Sequence, residues 1–129
     1  MSTRGEATCA LPLGVNAVAH ARHFTEEKVE AWGACQEVVD TAVLLTSELV
    51  TNAVLYGFGG RELQLQARSG TLRIVVTDDA PGVPTVRHPD EDSESGLGLL
   101  VIEACADRWG VQQHDVGKSV WCEIALEAR

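Results

Sequence analysis

QEVVDTAVLLTSELVTNAVLY, Gln36 to Tyr56, is followed closely by ELQLQARSGTLRIVVT, Glu62 to Thr77. The two stretches obey different periods. In the first, Val38, Ala42, Leu45, Leu49 and Ala53 recur every three or four residues, as on one apolar face of a helix, and Gly57 ends it. In the second, Leu63, Leu65 and Ala67 alternate with Glu62, Gln64, Gln66 and Arg68. Ser69-Gly70 is a turn signal, and Leu72, Ile74 and Val76 resume the alternation. That pattern predicts an antiparallel hairpin with one buried face. A helix with one apolar face beside a sheet with one apolar face points to two packed layers.

Working outward, Ala10-Leu-Pro-Leu13 reads as a short extended segment, held out of helix by Pro12. Val15 to Trp32 reads as a helix, with Val15, Val18, Ala19, Arg22 and His23 at helical spacing and Gly33 as its stop. Asp79 to Ser95 is a loop rich in Pro, Gly and acid, long for so small a chain and of the kind that carries function. Gly96-Leu-Gly98 opens a third helix through Arg108, closed by Gly110. Trp109–His114 and Ser119–Leu126 are strand-like and meet at a turn at Val116-Gly117, with Val120, Cys122, Ile124 and Leu126 on one face. The expected fold class is α+β: a two-layer sandwich with a mixed, mostly antiparallel sheet and helices on one face.

The chain has 129 residues, which predicts one domain over 1–129 with a core of about 10–127. Apolar residues make up 45% and charged residues 22%, which excludes disorder. Nineteen acidic residues against ten basic ones leave a formal charge of -9. That balance argues against direct binding to nucleic acid or an anionic membrane. It permits a basic partner, or an anionic ligand held by backbone amides and a metal cation. No apolar run approaches the ~18–20 residues of a membrane helix, and no secretory signal is read, so the expectation is a cytoplasmic protein. The four cysteines form no C-x-x-C pair, which disfavours structural zinc. Three of them lie among apolar or small neighbours and are expected to be buried thiols. Trp32, Trp109 and Trp121 are expected in the core or at its edge.

Three constellations carry chemistry. Glu48, Asn52 and Tyr56 stand at i, i+4 and i+8 on the second helix. A carboxylate and a carboxamide one turn apart can hold a hard cation and orient a hydroxyl or water; the plainer reading is a solvated polar flank. Asp78 stands where a strand runs out, before Ala80-Pro81-Gly82. It is either a turn former or a carboxylate that reads a ligand's exocyclic amine. Gly96-Leu-Gly98 at a helix start can offer amides to a phosphate, or can be an ordinary glycine loop. Gly117-Lys118-Ser119 mimics the end of a P-loop, but Gln112 occupies the required glycine position and strand-like sequence follows. His20 and His23 read as a solvated helix face.

In this order and spacing the three constellations resemble the GHKL ATPase superfamily, in particular its small stand-alone anti-sigma-factor serine kinases. Glu48-Leu-Val-Thr-Asn52-Ala53 matches the helix motif, Asp78-Asp-Ala80-Pro-Gly82 the adenine motif, and Gly96-Leu-Gly98-Leu-Leu-Val101 the second glycine motif. Ala106–Gly110 and Gly117-Lys-Ser-Val-Trp121 are similar too, so the resemblance runs from about Leu11 to Leu126. It implies a Bergerat-type fold that binds ATP and Mg2+. It implies that Glu48 is the general base, Asn52 the magnesium ligand, and Asp78 the adenine-binding carboxylate, with Gly82 lining the pocket. It further implies that Gly96, Leu97 and Gly98 form the phosphate-binding turn, Pro84 to Ser95 a lid, and that Ser119 supports adenine recognition. The implied partners are a sigma factor and a STAS-type anti-anti-sigma protein carrying the target serine, with a homodimer through the N-terminal strand. Other readings are a non-catalytic binding module of the same fold and a detached histidine-kinase catalytic domain. Two positions depart from the pattern: Tyr56 stands where many relatives have His or a basic residue, and Ala80 replaces the first glycine of the adenine motif.

Overall fold

The computed structural model of the chain describes residues 5–12, 16–56, 61–79 and 100–127. Its elements are β1 (Gly5–Leu11), α1 (Asn16–Ala31), α2 (Gln36–Tyr56), β2 (Arg61–Arg68), β3 (Thr71–Asp78), β4 (Arg108–Gln113) and β5 (Lys118–Ala125). A helical stretch over 100–105 precedes β4. The strands form one sheet in the order β1-β2-β3-β5-β4, and every pairing is antiparallel. The chain thus forms the α+β sandwich expected of it, with no parallel pair among the described residues.

The central stretch folds as its periods require. Val38, Ala42, Leu45, Leu49 and Ala53 of α2 are all buried, and so are Val39, Thr46 and Val50. The burial is broad because α2 packs against α1 as well as against β3 and β5. Ser69 (φ 54°) and Gly70 (φ 77°) both take positive φ, the two-residue turn whose twist suits a hairpin.

The buried face of α1 differs from the expected one. Ala17, Ala21, Thr25 and Val29 face inward at steps of four, while His20, Arg22 and His23 are exposed. Alanine marks a face weakly in a sequence, yet two alanines let α1 lie close against α2. At that seam the Thr25 and Thr46 hydroxyls, both fully buried, share a hydrogen bond of 3.0 Å. Gly33 (φ 88°) closes α1 with paired bonds, Gly33 N to the Glu30 carbonyl and Ala34 N to the Val29 carbonyl.

Register partners share a sheet face, so the core side chains stack in rows. Leu63, Val76 and Val120 form one row; Leu65, Ile74 and Cys122 the next; Ala67, Leu72 and Ile124 a third. Each fully buried Leu or Ile contributes roughly 1.5–3 kcal/mol. The fourth row, at the sheet end, is polar and buried: Arg61, Asp78 and Lys118.

Three further expectations are corrected. Arg108 opens β4 instead of closing a helix: Ala106 N bonds the Ile102 carbonyl, and Asp107 N has already turned to the Glu123 carbonyl. Only Cys122 is a buried thiol, since Cys35 and Cys105 are exposed and Cys9 half-buried. Burial, with the charge of Glu123 adding, pushes the Cys122 thiol up to about 12. Trp121 leaves the core altogether. It lies on the outer face with the Arg73 guanidinium 4.2 Å from its ring centroid, and Arg73 and Arg108 both pair with Glu123 at 3.0 and 3.6 Å. Trp32 and Trp109 do pack at the core edge.

No helix among the described residues is long and apolar enough to cross a membrane.

Candidate functional site

The C-terminal half of α2 and the polar end of the sheet come together. Glu48 and Asn52 lie one helical turn apart and both are half-buried. Burial raises the Glu48 carboxyl above the ordinary carboxylate value. The Asn52 Nδ2 is fully buried and has no hydrogen-bond partner among the described residues. An orphaned buried donor costs about 1–3 kcal/mol, and an acceptor from outside the described residues would relieve that cost. A phosphate oxygen would be one.

One residue further on, the Ala53 carbonyl accepts a bond of 3.3 Å from Arg61 Nε. Arg61 thereby ties the end of α2 to the end of the sheet, because its register partner is Asp78. Asp78 is buried and accepts a bond of 3.2 Å from Lys118 Nζ, whose side chain is only 7% exposed. The approach of β5 to β3 is fixed by Gly117 (φ 81°), where a Cβ would overlap the Asp78 carbonyl. Glycine is needed there on both counts. Gly117 sits in the hairpin between β4 and β5, so Gly117-Lys118-Ser119 has strands on both sides and is not a P-loop.

Through Arg61 the geometry joins the end of α2, where Asn52 precedes Ala53 and Glu48 lies one turn earlier, to the sheet end that carries Asp78. It does not bring Ser119 to these residues. Ser119 is paired with Thr77, one step out of phase with Asp78 and Lys118, so it projects from the opposite sheet face. There its hydroxyl bonds Thr77 Oγ1 and His114 Nε2, each at 2.7 Å. The phase was readable in the sequence: Val120, Cys122 and Ile124 face the core, so Ser119 cannot. The same alternation puts Lys118 on the core face beside Asp78, and this residue and Arg61 were missed as parts of the site. Gly82, Gly96, Leu97 and Gly98, with Arg87 and the segment from Pro84 to Ser95, lie outside the described residues, as does the Tyr56 side chain.

One carboxylate and one carboxamide form a small donor set. Among the described residues no group of three or more His, Cys, Asp or Glu is placed to hold a metal ion. An oxygen pair of this kind fits magnesium, which keeps several waters and takes its other ligands from substrate phosphates. Asn52 and Glu48 are the residues that would face such an ion.

Residues 11–124 match the histidine kinase-like ATPase domain. Over 94 residues the chain is 29% identical to an anti-sigma F factor of Clostridium novyi, covering 62% of this chain and 64% of that protein. Over 61 residues it is 43% identical to an uncharacterised protein of Streptomyces coelicolor, covering 46% and 58%. The matched segments thus span less than two-thirds of either relative. Among solved structures, the RsbU and RsbW domains of a Mycobacterium tuberculosis protein superpose with a TM-score of 0.74 at 21% identity, over 95% of this chain and 32% of that one. The histidine kinase domain of a blue-light activated kinase from Erythrobacter litoralis gives 0.53 at 22% identity, over 84% and 61%. With its motifs on α2 and at the end of β3 and a match over most of its length, the chain belongs to the histidine kinase-like ATPase domain family, of the GHKL type.

Proposed function

We propose that this chain is an ATP- and magnesium-binding regulator that restrains a sigma factor and phosphorylates a serine on a small STAS-type anti-anti-sigma protein. The observation that carries the proposal is the pair on α2: a half-buried carboxylate with a raised pKa, one turn from a buried amide with no partner among the described residues. The similarity to an anti-sigma F factor supports the choice of partners.

Each residue has a physical task in this reading. Asn52 would face the cation with its side-chain oxygen while its buried Nδ2 donates to a phosphate oxygen. Glu48, a stronger base than a surface carboxylate, would take the proton of the serine hydroxyl. As it does so, the serine oxygen bonds to the γ-phosphorus and the bond to the β-phosphate oxygen breaks. Asp78 would accept from the exocyclic amine of the base. Magnesium, when bound, supplies charge neutralisation across the phosphates.

The test is transfer of labelled γ-phosphate to the cognate antagonist. Glu48→Ala is expected to lower the transfer rate by about 10²–10⁴-fold. Equal rates would show that Glu48 is not the base. Label that survives acid marks phosphoserine, and label lost to acid would point instead to a detached histidine-kinase catalytic domain. The engaged state of Asp78 favours a second reading, a binding module of the same fold that uses nucleotide weakly or not at all. Calorimetry separates the two: no heat and no thermal shift at millimolar ATP with magnesium would remove the kinase reading.

A further inference from the structure

We propose that the outward stripe of α2 docks the phosphoacceptor protein, through a segment of it that puts an arginine into a cavity beside Glu37 and an apolar side chain against Leu44. The inference rests on the kinase reading above and concerns how the protein substrate is held.

A cavity of about 150 Å³ opens at the far end of α2 from Asn52, between the start of that helix, the end of the 100–105 stretch and the end of β5. Glu37, Asp107 and Glu127 line it, and among the described residues no lysine, arginine or histidine does. Three carboxylates in one concavity with no cation among them concentrate negative potential there. Asp107 is held in place, since its Oδ2 accepts a bond of 3.1 Å from Ala125 N. Val38 and Ile124, both buried, give the cavity an apolar floor. Among the described residues these acidic groups and Cys105 are not placed to hold a metal ion. A guanidinium suits the lining: its five donors reach acceptors several ångströms apart, and its aliphatic stem lies on the floor. Arginine seated in a pocket is also a common anchor of protein interfaces.

From the cavity a line of side chains leads to the candidate base. Glu37, Thr41, Leu44 and Glu48 follow at i, i+4, i+7 and i+11 on one side of α2, and none of them is fully buried. Leu44 is 41% exposed, the only large apolar side chain of a helix left open among the described residues. A lone exposed leucine is ordinary on a surface; its place on the line between the cavity and Glu48 is what gives it a use. A small cation would fill the cavity and leave Leu44 bare, whereas a chain segment covers both. The eleven residues from Glu37 to Glu48 span about 16 Å along the helix axis. An extended segment crosses that distance in about five residues. The arginine therefore stands about five residues from the acceptor serine, with the apolar residue between them. The formal charge of -9 on the chain favours the approach of such a basic segment.

The experiment is amide-correlation NMR of the full chain, without nucleotide, titrated with synthetic peptides. In these, arginine and serine stand about five residues apart, in either order, with a leucine between them. Matched peptides carry citrulline for the arginine, which keeps its shape and removes its charge, and N-acetyl-arginine amide is the small-cation control. The arginine peptide of one order is expected to shift the amide signals of Val38, Thr41, Leu44 and Ala125. Citrulline is expected to weaken binding by about 10-fold, the worth of one hydrogen bond to a charged group. Glu37→Gln combined with Glu127→Gln should weaken the arginine peptide to a similar degree, and Leu44→Ser should weaken it several-fold. The spectra themselves show that each variant is folded. The proposal falls if arginine and citrulline peptides bind alike, if the shifts gather away from the stripe, or if no peptide shifts it at several millimolar. It also falls if N-acetyl-arginine amide binds as tightly as the peptide, since the cavity would then take a small cation and no segment. A chain that fails the transfer assay above yet binds the arginine peptide on the stripe loses the kinase reading and keeps the docking surface. One that transfers phosphate without preferring arginine loses only this inference.

Discussion

At the scale of single residues, the buried amide of Asn52 and the raised carboxyl of Glu48 both cost the fold stability, which the proposed ligand role would explain. The buried Nδ2 of Asn52 has no partner among the described residues, and asparagine is a poor residue for a helix interior. Asn52→Leu is therefore expected to raise stability by about 1–2 kcal/mol, a few degrees in Tm, while abolishing the nucleotide-induced thermal shift. Loss of stability instead would mean that the amide is structural. Glu48 predicts a pH dependence. Its folded pKa is raised, so the folded chain holds the proton more tightly than the unfolded one does. The stability linked to that proton is present below the unfolded value and is lost as pH rises through the raised folded value. Melting curves from about pH 4 to pH 7 should show Glu48→Gln gaining on wild type as pH rises. The proposed kinase activity should move the opposite way, falling as Glu48 is protonated. Both residues were legible from spacing, because i and i+4 on a helix is a local relation. Lys118 was overlooked, although its phase is legible, because its role depends on which strand lies beside β3.

At the scale of elements, the seam between α1 and α2 is held by small residues and one buried hydroxyl pair. Replacing one partner leaves the other hydroxyl without its bond in a fully buried place, whereas replacing both removes the need for the bond. Thr25→Val and Thr46→Val should each cost about 1–2 kcal/mol, and the double variant clearly less than their sum. Denaturant unfolding of the four proteins checks this, and simple additivity would show that the two hydroxyls do not depend on one another. The elements themselves divide by how strongly their periods are written. α2 keeps its expected bounds, and the β2–β3 hairpin keeps its turn, because long regular patterns and positive-φ turn residues are local signals. β1 begins at Gly5, well before the extended segment read at Ala10, because its strand character comes from pairing with β2 and not from its own composition. The expected third helix overran into Arg108 because Asp107 is captured by Glu123 of β5, a contact between residues distant in sequence.

At the scale of the whole molecule, charge and site make opposite demands. The chain carries a formal charge of -9, and a nucleoside triphosphate is itself a polyanion, so the two repel at low ionic strength. Of the cations described at the site, Lys118 is paired with Asp78, and Arg61 bonds the end of α2. Among the described residues, no cluster of three or more His, Cys, Asp or Glu is placed to hold a metal alone. Nucleotide and magnesium should therefore bind only together, each supplying what the other lacks. Saturating ATP with magnesium, at about 100 times its Kd, is expected to raise Tm by on the order of 10 °C. Magnesium alone should leave Tm unchanged beyond ordinary screening, and ATP with a chelator should give only a small fraction of the full shift. Added monovalent salt should not restore the loss, because screening weakens repulsion without supplying a bridging cation. A full shift in the presence of chelator would mean that protein cations hold the phosphates, and the role proposed for Asn52 toward the metal would fall.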